Sequence, residues 1–318
     1  MKYHDLTLRD GSHAISHKLT IETIEKHCKF AEKAGIEVVE VGHGNGVGAS
    51  SIIIGESLVS DFEMIQAARQ HLRNTKISVH IIPGMATIKR DIDPIIDMVD
   101  IFRVASHCTE ATITKTHIEY LASKGKVVYG VLMMAALCSP TVLVEEALKM
   151  KSYGASAVII MDSSGSFFPD DVTERINALT VLNIPIGFHG HNNMHLAVAN
   201  SLAAIHTGAS IIDVTVKGFG AGAGNTPLEI MEAVFPTNLD IEFVHKYANE
   251  FPYDHPNIKL VNILTAKYKL FSGFEKCILS MCEKYNISLV RLVEEISSHN
   301  LVAGQDDIIR VIAARMGA

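Results

Sequence analysis

The stretch "HDLTLRDGSHAISHKLTIETIEKHCKFAEKAG" (residues 4–35) decides the fold. Its first five residues form a strand candidate ending at Leu8, and Arg9, Asp10 and His13 follow with Gly11 among them. A helix then starts near Thr20, its apolar positions recurring at three and four, and stops at Gly35. An open Rossmann or flavodoxin-like sheet would need a glycine-rich phosphate turn after this first strand. A cation, a carboxylate and an imidazole stand there instead.

The strand-then-helix unit recurs. Further strand candidates are "IEVVEVG" (36–42), "KISVHII" (76–82), "VDIFRVA" (99–105), "KVVYGVLM" (126–133), "SAVIIMD" (156–162), "IPIGFHG" (184–190) and "SIIDVTV" (210–216). Between them lie helical patterns with their own start signals. Ser139 caps and Pro140 opens "SPTVLVEEALKMKSYGA", and two carboxylates open "FPDDVTERINAL" where the helix dipole favours them. Nearly unbroken apolar strands suit a parallel sheet covered by helices. Eight such repeats predict a (β/α)8 TIM barrel over residues 1–238. Beyond about residue 240 strands stop, and "IKLVNILTAKYKLF", "FEKCILSMCEKYN", "SLVRLVEEISSHN" and the last sixteen residues read as helices. A small helical C-terminal region is therefore expected over 239–318.

Composition narrows the function. Lys and Arg number 28 against 35 Asp and Glu, a net charge of −7, and no basic block of nucleic-acid type occurs. No apolar run is long enough to span a membrane. The N-terminus lacks a basic stretch followed by an apolar one, so no secretory leader is expected. Five cysteines without a CxxC motif read as reduced thiols, which predicts a cytoplasmic protein.

In a barrel enzyme the chemistry sits at the C-terminal ends of the strands. Those ends carry Arg9, Asp10 and His13; Glu40 and His43; His80 or Ile82; Arg103, Ser106 and His107; Asp162 and Ser163; and His189 and His191. Two residues apart on a strand, His189 and His191 point the same way and can grip one ion. With Asp10 they make a mixed N/O set that leaves positions open, which suits Mn²⁺, Mg²⁺ or Co²⁺ better than a structural zinc. Asn225, after a glycine run, reads as a further outer ligand or as a group orienting one. Arg9 can hold a carboxylate or stabilise a developing enolate. His13 can act as a neutral base, or cap a helix or bond within a loop. Ser163 can donate to a substrate carboxylate, while Asp162 orients a neighbour.

These segments together resemble the 4-hydroxy-2-oxovalerate aldolase family. The resemblance is carried by "TLRDGSHA" (7–14), "VVEVGHGNG" (38–46), "RVASHCTEA" (103–111), "MDSSGS" (161–166), "FHGHNNMHLAVANS" (188–201), "GFGAGAGNTPLE" (218–229) and "LVAGQDDII" (301–309), so it spans the chain. The family belongs to a wider barrel superfamily that includes hydroxymethylglutaryl-CoA lyase and isopropylmalate synthase. The resemblance implies that Asp10, His189 and His191 hold a divalent metal, usually manganese. It implies that Arg9 stabilises a pyruvate enolate, and that His13 takes the proton of the C4 hydroxyl as the C3–C4 bond breaks. Pyruvate and an aldehyde would leave. Ser163, His80, Ile82 and His189 are then expected to face the 2-oxo acid. The family pairs with an acylating aldehyde dehydrogenase, which its C-terminal helices help to contact, and an oligomer is expected. Members that act on acyl-CoA carry a "GERxGN"-like or cysteine-bearing loop where this chain has "GAGAGN". A weakly catalytic partner subunit is a further alternative.

Two departures mark this chain. Where the family has a tyrosine in a "YSSF"-type segment, the sequence reads "FSGF", with Phe271 in place of the hydroxyl. Tyr268, one helical turn earlier and displaced by roughly 4–5 Å, is the candidate to replace it. Where relatives carry leucines around the aldehyde, this chain has His80, Ile81 and Ile82.

Overall fold

A computed structural model describes residues 1–317; Ala318, the last residue of the expected terminal helix, lies outside the described residues. The strands β1 (Lys2–Asp5), β2 (Val38–Glu40), β3 (Lys76–Ile81), β4 (Ile101–His107), β5 (Val127–Met133), β6 (Ala157–Asp162), β7 (Ile186–Gly190) and β8 (Ile211–Val214) form a closed barrel in chain order. Every pair is parallel, and β8 closes on β1 with Tyr3 opposite Ile212.

The first strand ends earlier than the apolar pattern suggests. Asp5 Oδ1 accepts hydrogen bonds from the Thr7 backbone N–H at 2.8 Å and from the Thr7 hydroxyl, which turns the chain two residues after the carboxylate. Leu6 and Leu8 are buried all the same, but in the turn that leads into a short 3₁₀ helix over Asp10–Ile15.

The helices of the shell are α1 (Ile21–Ala34), α2 (Asp61–His71), α3 (Lys115–Ser123), α4 (Pro140–Tyr153), α5 (Pro169–Leu179), α6 (Ala197–Thr207), α7 (Leu228–Val234) and α8 (Ile241–Glu250). Thr20 caps α1 by accepting from the Thr23 N–H at 3.1 Å, and Gly35 ends it at φ 80°. Between β3 and β4 the crossover shrinks to one wide turn over Ile88–Ile92 and a 3₁₀ turn over Asp93–Ile95.

The boundary of the barrel falls later than residue 238. Tyr247 of α8 stacks on Phe30 of α1 with ring centroids 3.8 Å apart, and its hydroxyl meets His27 Nδ1 at 3.1 Å. Val244, Tyr247 and Phe251 thus join the barrel's own core. A separate apolar cluster begins at Val261, built by α9 (Leu260–Lys267), α10 (Glu275–Tyr285), α11 (Leu289–Ser297) and α12 (Asp306–Met316). A 238 boundary reads the end of strands as the end of the barrel, but the last strand still needs helices to cover it.

Alternation along the strands sorts side chains between the helix shell and the lumen. Val39, Val79, Phe102, Val104, Val158, Ile160 and Phe188 face the shell and are buried there. The lumen is divided. Ala105, Val131, Ala157, Ile159, Met161 and Ile211 make an apolar cluster, whereas His4, Glu40, Ser78, His80, Arg103, His189 and Asp213 are buried polar groups. Among the described residues no helix is long and apolar enough to cross a membrane.

Candidate active site

The hinge of the site is a pair of imidazoles at the end of β7. His189 and His191 face each other with their Nε2 atoms 3.3 Å apart. His189 Nδ1 donates to Asp213 Oδ2 at 3.0 Å, and His191 Nδ1 donates to the Gly224 carbonyl at 3.2 Å. With both Nδ1 atoms engaged elsewhere, the two Nε2 atoms are the ring nitrogens left to offer lone pairs to a shared ion. Burial pushes the His191 pKa down to about 4.

Asp10 completes the group: the ligand atoms of Asp10, His189 and His191 all lie within 4.8 Å of one another, and all three residues are buried. Its Oδ2 accepts from Asn225 Nδ2 at 2.7 Å and from the Ala221 N–H at 3.1 Å, and its Oδ1 accepts from Arg9 Nη1 at 2.8 Å. Burial alone would raise its pKa, but Arg9 and the nearby imidazoles hold the carboxyl well below the usual range. The loop can approach this closely because residue 220 is glycine. A Cβ there would stand 2.2 Å from Asn225 Nδ2 and 2.7 Å from Asp10 Oδ2. Asn225 therefore orients Asp10, and its Oδ1 finds no partner among the described residues. Two imidazole nitrogens and an ionised carboxylate are the donor set of a divalent cation, and the residues fit one.

Beneath this point runs a chain of buried charges. Arg9 Nε donates to Glu40 Oε1 at 2.6 Å, and Glu40 Oε2 lies 3.1 Å from Arg103 Nε, an ion pair not aligned as a hydrogen bond. Arg103 spans the lumen from β4 to β8 and grips Asp213 with both terminal nitrogens, at 3.1 and 2.5 Å. Asp213 in turn holds His189. Asp10, Arg9, Glu40, Arg103, Asp213 and His189 form an arc whose two ends meet where Asp10, His189 and His191 converge. The three carboxylates and two guanidinium groups leave one net negative charge for a cation to balance.

Arg9 keeps one free donor: Nη2 is buried and has no partner among the described residues. His13 stands on the 3₁₀ turn after Asp10 and lines a cavity of about 700 Å³ together with Phe219, Gly220 and Ala221. Its ring meets His17 edge-on at 4.9 Å, and His17 stacks on His43 at 3.7 Å. Burial lowers the His13 pKa to about 4 against the pull of Asp10, so the ring is neutral near pH 7. A second cavity of about 400 Å³ is lined by Ile82, His107, Met133, Met134, Ser163 and Phe271. Phe271 borders both cavities.

Residues 1–248 match the profile of the HMGL-like family. The chain belongs to the HMGL-like family. It is 46% identical over 320 residues to the 4-hydroxy-2-oxovalerate aldolase of Pectobacterium atrosepticum, with 97% of this chain and 93% of that protein covered. It is 45% identical to the 4-hydroxy-2-oxovalerate aldolase of Spirochaeta aurantia, with 96% and 93% covered. In fold the HMGL-like barrel is similar to the carboxyl transferase domain of Rhizobium etli pyruvate carboxylase solved with pyruvate and biocytin. The TM-score is 0.82 at 13% identity, covering all of this chain and 60% of that one.

Not every residue singled out in the sequence reaches the mouth of this HMGL-like barrel. Tyr268 does not: its hydroxyl donates to Glu294 at 2.7 Å, within the C-terminal helices, and it lines neither cavity. Ending α9 as its last capping residue, it is turned toward α11 rather than toward the strand ends. Arg103 and Glu40 lie in the lumen below the rim, as links of the charge chain rather than as substrate contacts. His80 points inward opposite Arg103, with Nδ1 buried and unpartnered among the described residues. Burial and the two nearby guanidinium groups keep it neutral. Asp162 accepts from the Ser166 and Phe167 N–H groups at 2.9 and 3.0 Å, so it shapes the loop that carries Ser163, and burial raises its pKa to about 6. Ser163 Oγ accepts from the Met134 N–H at 2.9 Å, which leaves its own proton to give. The residue that motif reading missed is Asp213. Its signal was a lone carboxylate at a lumen-facing position of the apolar run "SIIDVTV".

Proposed function

We propose that this chain cleaves a 4-hydroxy-2-oxo acid by retro-aldol chemistry, releasing pyruvate and an aldehyde. The observation that supports this most is the pair of Nε2 atoms, 3.3 Å apart beside the Asp10 carboxylate, with a free Arg9 donor next to them. That chemistry needs a Lewis acid, a cation for an enolate and a base for an alcohol.

Asp10, His189 and His191 are the residues to hold the divalent ion; the two imidazoles favour a transition metal over Mg²⁺, and the resemblance adds Mn²⁺ ahead of Co²⁺. When bound, the ion supplies a Lewis acid for the charge that gathers on the 2-oxo group. Arg9 Nη2 donates to the same end of the substrate, where it gains most as negative charge develops in a dry site. His13, neutral at the mouth, accepts the proton of the C4 hydroxyl. As that proton leaves, C4 becomes the aldehyde carbon and the electrons of the C3–C4 bond pass into the enolate. Protonation of C3 then yields pyruvate. Ser163 donates to the substrate carboxylate, while Ile82 and Met133 offer an apolar wall to the aldehyde end. His80 and His189 flank the 2-oxo group. The resemblance adds that the aldehyde passes to an acylating aldehyde dehydrogenase docked on the C-terminal helices, which co-elution of the two proteins would test.

The deciding experiment measures pyruvate released from a series of 4-hydroxy-2-oxo acids by metal-loaded and chelator-treated protein. Release should require the ion and should fall by at least about a thousandfold in Asp10→Ala and Arg9→Ala. A protein that binds Mn²⁺ yet frees no pyruvate from any member of the series overturns the reading.

A further inference from the structure

Lys276 lies in the C-terminal helical region but bonds to the barrel. Its neighbours Cys277 and Ile278 are buried in the C-terminal cluster, which fixes the base of the side chain. Its ammonium reaches across to the loop after β1, with the His13 carbonyl at 2.9 Å, Ser16 Oγ at 2.9 Å and the Ala14 carbonyl at 3.5 Å. An ammonium has three donors and no acceptor, and all three point at this one loop. Among the described residues no carboxylate pairs with Lys276, whereas the neighbouring Lys259 pairs with Glu275 at 2.6 Å.

The loop it holds is strained. The 3₁₀ turn over Asp10–Ile15 ends in two consecutive non-glycine residues in the left-handed region, Ser16 at φ 53° and His17 at φ 63°. Such conformations persist only where surrounding contacts over-determine them. The His13 carbonyl already accepts from the Ser16 N–H at 3.2 Å, and Lys276 adds a second, charged donor at the residue whose ring is the base.

The geometry points to Lys276 as a positioning residue: from α10 it clamps the loop that carries His13, so proton removal from the C4 hydroxyl depends on the docked C-terminal region. This rests on the retro-aldol role proposed for His13. The clamp acts on the base and not on Arg9 or the metal ligands, and the two halves of the reaction can be separated. Exchange of the pyruvate methyl protons with deuterated water needs enolate formation, but no C4 hydroxyl. Cleavage needs both.

In Lys276→Met, kcat for pyruvate release should fall about a hundredfold, the effect of displacing a reacting group by about 1 Å. KM and the methyl exchange rate should stay near wild type. Lys276→Arg, which keeps a cationic donor, should recover most of kcat. In metal-free protein, amide hydrogen exchange over residues 12–17 should quicken in Lys276→Met and remain slow in Lys276→Arg. Wild-type cleavage in Lys276→Met, a parallel loss of cleavage and methyl exchange, or unchanged amide protection would each overturn the clamp. If the wild-type protein neither cleaves nor exchanges, the aldolase reading fails instead, and the amide measurement alone decides whether Lys276 holds the loop.

Discussion

One side of the barrel lumen is oil and the other is a circuit. Strands β4 to β6 line it with Ala105, Val131, Ala157, Ile159 and Met161, joined by Ile211 at the start of β8. Strands β1 to β3, β7 and β8 line it with His4, Glu40, Ser78, His80, His189 and Asp213, and Arg103 crosses from the first side to the second. The apolar side is held by area and shape, which are non-directional and tolerate swaps of similar volume. On the polar side the buried ion pairs share members, so Arg9, Glu40, Arg103 and Asp213 cannot be changed one at a time without leaving a charge unpaired. The two sides work together. The apolar wall keeps water out, and exclusion of water strengthens the attraction between the charge chain and a cation.

The largest effect should come from cutting the circuit at its crossing point. Arg103→Met leaves Glu40 with Arg9 alone and Asp213 with His189 alone, and should cost about 3–5 kcal/mol of stability in urea unfolding. Ile159→Val, a change on the opposite wall, should cost about 0.5–1.5 kcal/mol. Equal costs would erase the distinction between the two walls.

A gentler break is Asp213→Asn. It preserves shape but removes the carboxylate that fixes the His189 tautomer, and metal affinity should drop about 10–100-fold in a calorimetric titration. Unchanged affinity would mean that His189 is oriented by something other than β8.

The smallest effect is a pH dependence. His4 is fully buried in the lumen, stacks against Tyr129 with ring centroids 5.9 Å apart, and is pushed by burial down to a pKa of about 3. The unfolded chain takes a proton at this position below about pH 6.5, and the folded chain refuses it until about pH 3. The unfolded state therefore binds more protons across that window. Stability is complete above it and is lost as the pH falls through it. His4→Asn should narrow the gap between the urea midpoints at neutral and mildly acidic pH. An unaltered gap would assign the acid limb to other groups, such as His17.

Much of this was legible beforehand. The strand-and-helix alternation placed all eight strands within a few residues, because period and punctuation are local properties. The HxH pair at the end of "IPIGFHGHNN" and the Arg9–Asp10 pair were likewise visible as types at strand ends. Tyr268 lies away from the strand ends, because spacing along a helix gives distance but not direction. Its hydroxyl is spent on Glu294, 26 residues away in the chain. Glu40 and Arg103 looked like rim residues because their runs end near the rim, yet strand register sets their depth.

By itself the sequence determined the repeat, the closed parallel barrel and the three residue types that meet at its mouth. Only the tertiary structure decided which charge faces which. Arg9 finds Glu40 across 31 positions, Arg103 finds Asp213 across 110, and Lys276 reaches His13 across 263. The reason is physical: pattern records which way a side chain points from its own backbone, while a buried charge is settled by the partner that ring closure and helix docking bring within about 3 Å.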